Sequence, residues 1–266
     1  MRQCLLNLIL FSGRRKDLLL LLKEEPRDVD TVKELLGVDS GCIQPHIKKL
    51  KESGLIIEKN KIFRLSEIGE AIVENMLPLL KTVELFGDNN EYWMSHDLSS
   101  IPWSLLERIE ELGHCKLLEP DTLHMAETPG TLLDNLMSSK EVLTFTSYFH
   151  PQAPIIYSEL AEKGVEITLC MTVNVAERLF FNYRKEAEKL CRARNSKLFI
   201  SRKPAIVPSL IVTDRFLALK LYEMDRKLRD QIILCSGEKA PCWGKELFGY
   251  CMEAAEPLDE NEFLQP

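Results

Sequence analysis

Between Ser40 and Leu65 the chain carries six basic residues, Lys48, Lys49, Lys51, Lys59, Lys61 and Arg64, against two acidic ones, Glu52 and Glu58. The chemistry such a set performs is phosphate neutralisation. Each cation placed on a nucleic-acid backbone releases condensed counterions, so the resulting affinity falls steeply with salt. Ser40, Gln44 and His46 precede the lysines. Short polar side chains and Gln are the types that read base edges, and Gln pairs bidentately with adenine. The expected contacts to double-stranded DNA are therefore Ser40, Gln44, His46, Lys48, Lys49, Lys51, Lys59, Lys61 and Arg64. A lysine run by itself is most often a solvated face, and a head of this kind also serves protein contacts. The elements beneath the charges must decide.

Other chemistries find little support. The chain has no Walker loop, G-x-G-x-x-G, G-x-S-x-G or H-E-x-x-H run. Its five histidines, His46, His96, His114, His124 and His150, do not cluster at metal-ligand spacing. The expectation is a non-enzyme with no cofactor and no metal. Eight cysteines form no C-x-x-C pair and read as reduced thiols of a cytoplasmic protein. The apolar run from Cys4 to Phe11 is followed at once by Arg14-Arg15-Lys16. It is too short to span a membrane, lacks a small-residue cleavage site and reads as a first helix.

The elements under the basic residues follow from periodicity and punctuation. Leu18, Leu19, Leu21 and Leu22 mark a core-facing helix from Gly13 to Glu25, stopped by Pro26. Asp28 caps a short helix that ends at Gly37. Val38–Gly41 reads as the turn, and a second helix runs from about Cys42 to Ser53 with Ile43, Ile47 and Leu50 on its buried stripe. Pro45 is expected in its first turn. Two short apolar runs, Leu55–Glu58 and Ile62–Leu65, flank Lys59-Asn60-Lys61 as a hairpin. Helix, helix, turn, helix, hairpin is the order of a winged helix, and the basic residues fall on the second helix of the motif and on the wing.

Charge divides the chain in the same way. Residues 1–65 hold thirteen Lys/Arg and nine Asp/Glu, a balance of +4, and residues 66–266 hold twenty-one and thirty-two, a balance of −11. Three parts are expected: a DNA-binding winged helix at 1–65, a connecting and dimerisation helix at 66–90, and an α/β regulatory domain at 91–266. Ser66 caps the connecting helix, and Ile68, Ile72, Met76, Leu79, Leu80, Val83 and Phe86 keep helical spacing along it, with Pro78 expected to kink it. Homodimers match two-fold operators through such helices.

The stretch from Leu35 to Ile72 resembles archaeal winged-helix regulators in Ile43, Pro45, Ile47, Leu50, Gly54, Leu55 and Ile56, then Leu65, Ser66 and Gly69. The run W-x-x-H-D-L-S-x-I-P from Trp93 to Pro102, followed by L-x-R-I-x-x-L, resembles the start of the regulatory domain in a family of methanogen transcriptional regulators with the same head. That resemblance covers nearly the whole chain. It implies an archaeal regulator with a sensing domain.

Beyond residue 140 the pattern alternates. Strands are expected at Val142–Phe145, Val165–Met171, Lys197–Ile200, Ser209–Val212, Phe216–Leu219 and Gln231–Cys235. Helices are expected at Ile155–Lys163, Ala176–Ala193 and Pro241–Ala254, and another from Leu105 to Leu112. This part resembles the phospholipase-D-like effector domain of archaeal sugar-responsive regulators. The enzymes of that fold use H-x-K-x-x-x-x-D, with His as nucleophile. Counting back from Asp214, Val207 and Ser209 stand at the His and Lys positions. A literal match at His114, Lys116 and Asp121 follows a helix end rather than a buried strand and is set aside, so the domain is read as non-catalytic. Ligands of open α/β sheets sit at the carboxyl ends of strands. That rule makes Thr146, Tyr148, His150, Thr172 and Arg202 the candidate contacts to a small polar or anionic effector.

Overall fold

The computed structural model describes residues 5–119 and 128–263. The chain divides into two compact units, Met1–Leu80 and Lys81–Pro266.

The first unit contains α1 (Leu5–Leu10), α2 (Gly13–Glu24), β1 (Arg27–Asp28), α3 (Val29–Leu36), α4 (Ser40–Glu52), β2 (Ile56–Lys59), β3 (Ile62–Leu65) and the start of α5 (Glu67–Asp88). Its three strands form an antiparallel sheet in the order β1-β3-β2. This is the winged helix-turn-helix expected from the sequence. Leu18, Leu19 and Leu22 of α2 meet Val32, Ile43, Ile47 and Leu50 in one buried core. Asp28 caps α3 by accepting the Thr31 N–H at 2.8 Å. Gly37 closes it at φ 60°, in the left-handed region where only glycine sits without strain.

Two details differ from the expected layout. Helix α4 opens at Ser40, so Ser40 and Gly41 are helical and the turn shrinks to Gly37–Asp39. Pro45 consequently lies in the second turn, inside the helix. Its ring replaces a donor that would have bonded the carbonyl of Gly41, and helix packing on α2 holds the segment helical regardless.

Ser66 caps α5 as expected. Its Oγ accepts the Gly69 N–H at 3.0 Å and donates to the Gly54 carbonyl at 2.6 Å. Gly69 is required here, because a Cβ would collide with the Leu55 carbonyl. Helix α5 runs unbroken through Pro78.

The wing turns through Asn60 and Lys61 at φ 54° and 64°, with Lys59 paired to Ile62. Positive φ at both central residues is the type I′ requirement of a two-residue hairpin. Asn tolerates it; Lys does not. Replacing Lys61 by Gly is expected to raise the stability of this unit by about 0.5–1 kcal/mol, read as a higher Tm, despite the loss of a side chain. An unchanged or lower Tm would mean the turn is not strained at Lys61.

The second unit continues with α6 (Asn90–Ser95), α7 (Trp103–Leu106), a 3-10 turn at Ile109–Leu112, β4 (Cys115–Leu118), α8 (Gly130–Met137), β5 (Glu141–Thr146), α9 (Ala153–Glu162), β6 (Glu166–Thr172), α10 (Val173–Asn182) and α11 (Arg184–Arg192). Then follow β7 (Ser196–Ser201), β8 (Ser209–Thr213), β9 (Leu217–Lys220), β10 (Ile232–Cys235), α12 (Ala240–Met252), β11 (Ala255–Pro257) and α13 (Glu260–Phe263). Eight strands form one mixed sheet in the order β11-β7-β6-β5-β8-β9-β10-β4. Only β5-β6 and β6-β7 are parallel; every other pair is antiparallel.

Side chains alternate between two apolar layers. Phe145, Leu210, Val212, Leu217 and Leu219 face the layer of α12, where Trp243 is buried. Val142, Ile167, Leu169, Met171 and Ala218 face the layer of α8 to α11. This period-two switch explains why the strand runs are apolar throughout: both faces are covered.

The expected helix from Leu105 to Leu112 is in fact α7 plus a 3-10 turn, and the expected helix from Ala176 to Ala193 is α10 and α11. The second break falls at Tyr183, at φ −133° and ψ 45°, where the ring packs on Phe149. Strand β4 and helix α8 carry weak local patterns and were not expected. Strand β4 forms because the antiparallel edge of β10 receives it. That register sets Cys115 opposite Cys235, and the two are joined in a disulfide. The reading of all cysteines as thiols is corrected at this pair, 120 residues apart in sequence, which no local pattern reveals. Cys170, Cys191 and Cys251 remain thiols pushed up to about 12 by burial. Among the described residues no helix is long and apolar enough to cross a membrane.

Candidate nucleic-acid interface and effector cavity

Helix α4 buries Ile43, Ile47 and Leu50 and turns its other side chains outward. Ser40, Gln44 and Lys48, each four residues apart, share one exposed stripe. Lys49 and Lys51 flank it, and Lys59, Lys61 and Arg64 project from the wing, all exposed. Glu52 lies 3.9 Å from the Lys48 ammonium, and Glu58 lies 2.5 Å from that of Lys51. Among the described residues Lys49, Lys59, Lys61 and Arg64 have no such partner, and Arg64 donates to the Leu65 carbonyl at 3.3 Å. Their charge is therefore the least compensated.

His46 is half-buried, and its Nδ1 has no hydrogen-bond partner. Burial pushes its pKa below the usual imidazole range, and the charges of Arg15, Lys49 and Arg14 push it further the same way. Arg14 and Arg15 on α2 were not among the expected contacts. Their place beside α4 is fixed by packing across some thirty residues of sequence, which spacing alone does not report.

Because the folded pKa of His46 lies below the unfolded value near 6.5, the unfolded chain binds more protons between the two. Stability of this unit is expected to fall as pH drops through about 6.5, and His46→Gln to flatten that slope. Tm measured from pH 8 to pH 5 on both proteins checks this. Parallel curves would show that His46 is not the titrating group.

In the second unit a cavity of about 90 Å³ lies between the sheet and the layer of α8 to α11. Three of the expected effector residues, Thr146, Tyr148 and His150, line it; Thr172 and Arg202 do not. Thr172 precedes α10 at the end of β6. Arg202 is exposed and ion-paired to Glu262 at 2.8 Å and Glu256 at 3.7 Å.

The cavity's polar end is built by strand register. Thr146 of β5 pairs with Ser209 of β8, and Ser209 pairs with Lys220 of β9, which sets the three in one row. Lys220 is 2% exposed, is ion-paired to Asp230, and lies 4.6 Å from the Tyr148 ring centre. Cation and ring at that distance attract. Burial lowers the pKa of His150; Asp230 opposes this and Lys220 adds to it.

Ser209, Lys220 and Asp230 were missed by the sequence reading. A usable signal was present, since Lys220 interrupts the apolar run Leu217-Ala218-Leu219-Lys220-Leu221. A strand that is apolar on both faces tolerates a lysine only where the charge has a partner.

The phosphodiesterase-type positions give no nucleophile. Val207 is buried and Ser209 lines the cavity. The literal match follows a helix end as expected, His114 coming after the 3-10 turn that ends at Leu112, and Lys116 lies on β4 at the sheet edge; His114 and Lys116 are both exposed. Asp121, like His124 and Cys4, falls outside the described residues.

Two family models match, and they do so in the order the two units take. The N-terminal domain of methanogenesis regulatory protein FilR1 matches residues 5–84, and its middle domain matches residues 125–254. The chain belongs to the FilR1 family of methanogenesis regulatory proteins. Methanogenesis regulatory protein FilR1 of Methanothrix harundinacea (strain 6Ac) is 27% identical over 264 residues. That alignment takes in 96% of this chain and 58% of the relative, so the chain spans a little over half the length of the curated FilR1 protein it matches.

Solved structures give weaker likenesses. TrmBL2, an archaeal chromatin protein, aligns at TM-score 0.45 and 13% identity, covering 84% of each chain. The phospholipase D family member Nuc from Salmonella typhimurium aligns at TM-score 0.39 and 10% identity, covering 55% of this chain and 99% of its own. These are partial overlaps, and the FilR1 assignment rests on the family matches.

Proposed function

We propose that this chain is a sequence-specific DNA-binding transcriptional regulator, active as a homodimer and responsive to a small effector held in its second unit. The observation that carries the reading is the placement of uncompensated Lys49, Lys59 and Lys61 on the recognition helix and the wing tip of a winged helix. Those two elements enter the major groove and cover phosphates in this architecture. Gln44 and Ser40, exposed on the same helix, then face base edges, and Arg64 and Lys51 add to the phosphate contacts.

The dimer is supported by α5, where Ile68, Leu79 and Val83 stand exposed within one helical stripe. The effector is supported by the cavity at Thr146, Tyr148 and His150. A non-catalytic role is supported by Val207 and Ser209 in place of a nucleophile and its lysine.

The test is a fluorescence anisotropy titration against the gene's own upstream DNA at two salt concentrations. Tight binding that weakens steeply with salt supports the reading. No binding at low salt by a folded protein would overturn it and leave a winged helix that contacts protein.

A further inference from the structure

The cavity of the second unit is unlike a site for a sugar or a small polar molecule. Its body is walled by Leu132, Leu136, Met171, Leu179 and Leu190, and Thr146, Ser209, Lys220 and Asp230 adjoin one another in its lining. A hydroxyl placed against those leucines would lose its water partners and gain none. The cavity encloses about 90 Å³. At ~10–15 Å³ per water that is room for about six to nine waters, or for a molecule of about ten non-hydrogen atoms.

The polar end selects charge. Lys220 is buried to 2% exposure, yet its partner Asp230 is 32% exposed. The ammonium cannot reach water, whereas the carboxylate can. A ligand anion arriving from the cavity side replaces Asp230 at little cost, because the freed carboxylate hydrates and the lysine keeps a counter-charge. Ser209, in register with Lys220, places a further hydroxyl donor beside the same point, and Thr146, paired to Ser209, donates its own proton to the Tyr148 carbonyl at 2.7 Å.

We infer that this cavity binds an amphipathic carboxylic acid of about ten non-hydrogen atoms, with its carboxylate on Lys220 in exchange for Asp230 and its apolar body along α8, α10 and α11. The inference deepens the effector-responsive reading and rests on it for its biological meaning. Binding itself requires no DNA.

Octanoate, with ten non-hydrogen atoms, is the probe, and 1-octanol is its neutral counterpart. Isothermal titration of the full chain without DNA is expected to show octanoate binding and much weaker binding of 1-octanol. Lys220→Met is expected to weaken octanoate by about ten- to a hundredfold, the worth of one charged hydrogen bond. Asp230→Asn is expected to tighten octanoate, because it removes the competing carboxylate and leaves the buried Lys220 ammonium in need of a counter-charge. That variant keeps the test meaningful if Lys220→Met fails to fold. Equal binding of acid and alcohol, or weaker octanoate binding by Asp230→Asn, would overturn the acid assignment. No binding of either compound would overturn the cavity as a site for this class, whatever the outcome of the DNA titration.

Discussion

The triple variant Lys49→Ala, Lys59→Ala, Lys61→Ala is expected to lose roughly a hundredfold or more in DNA affinity at about 50 mM salt while remaining folded, since three phosphate contacts disappear. Its log–log salt slope is expected to be smaller in magnitude by about 2.7, as ~0.9 per contact dictates. These three are chosen because Lys48 and Lys51 already have Glu52 and Glu58 as counter-charges. All three are exposed, so truncation should cost little stability. The loss should be uniform across DNA sequences. Gln44→Ala should instead weaken the preferred site relative to others, because a base-edge contact carries sequence information and a phosphate contact does not. An unchanged slope in the triple variant would place the DNA, if bound, on another surface.

Trp243→Ala is expected to destabilise the second unit by about 3–5 kcal/mol. Trp243 is fully buried between α12 and the sheet, and its Nε1 donates to the Leu105 carbonyl at 2.9 Å. Removing the indole opens a cavity in the buried layer that holds Val212, Leu217 and Leu247 and leaves that carbonyl with the Arg108 N–H, at 3.1 Å, in place of two donors. Neighbouring Gly244 already sits so close to Val212 and Leu217 that α12 cannot settle inward without moving them. Trp243→Phe should cost less, keeping most of the volume and losing the hydrogen bond. Urea unfolding monitored by circular dichroism measures both. A loss below about 1 kcal/mol for the alanine variant would mean the layer of α12 repacks freely. The first unit has its own core, so DNA binding by a partly unfolded Trp243→Ala protein at low temperature would show that the two units fold separately.

The winged helix was legible because each of its elements has a local cause. Asp28, Gly37 and Ser66 mark ends by capping chemistry, Pro26 stops α2, and the Ile43, Ile47, Leu50 spacing fixes which face of α4 is buried. Once that face is known, the outward placement of Gln44 and Lys48 follows from helix geometry alone. The start of α4 was misjudged by two residues because Ser40 and Gly41 favour turns as readily as a first helical turn.

The second unit was legible in its strands and less so in its site. Thr146, Tyr148 and His150 were reached by a rule about strand ends, and the cavity brings them together. The same rule also gave Thr172 and Arg202, which the structure places elsewhere. The rule names a level in the sheet and not a face. Helix breaks at Tyr183 and after Leu106 were missed because periodicity continues across them.

What the sequence determined by itself was everything set within one element or one turn: the caps, the buried stripes, the apolar runs and the basic residues of α4 and the wing. What only the tertiary structure decided was set by pairing between distant segments. The antiparallel register of β5, β8 and β9 aligns Thr146, Ser209 and Lys220, and that of β4 with β10 brings Cys115 to Cys235. The physical reason is the same in each case. A β-strand acquires its neighbours through hydrogen bonds to whichever strand lies beside it, and that choice depends on the packing of the whole sheet and not on the local chain.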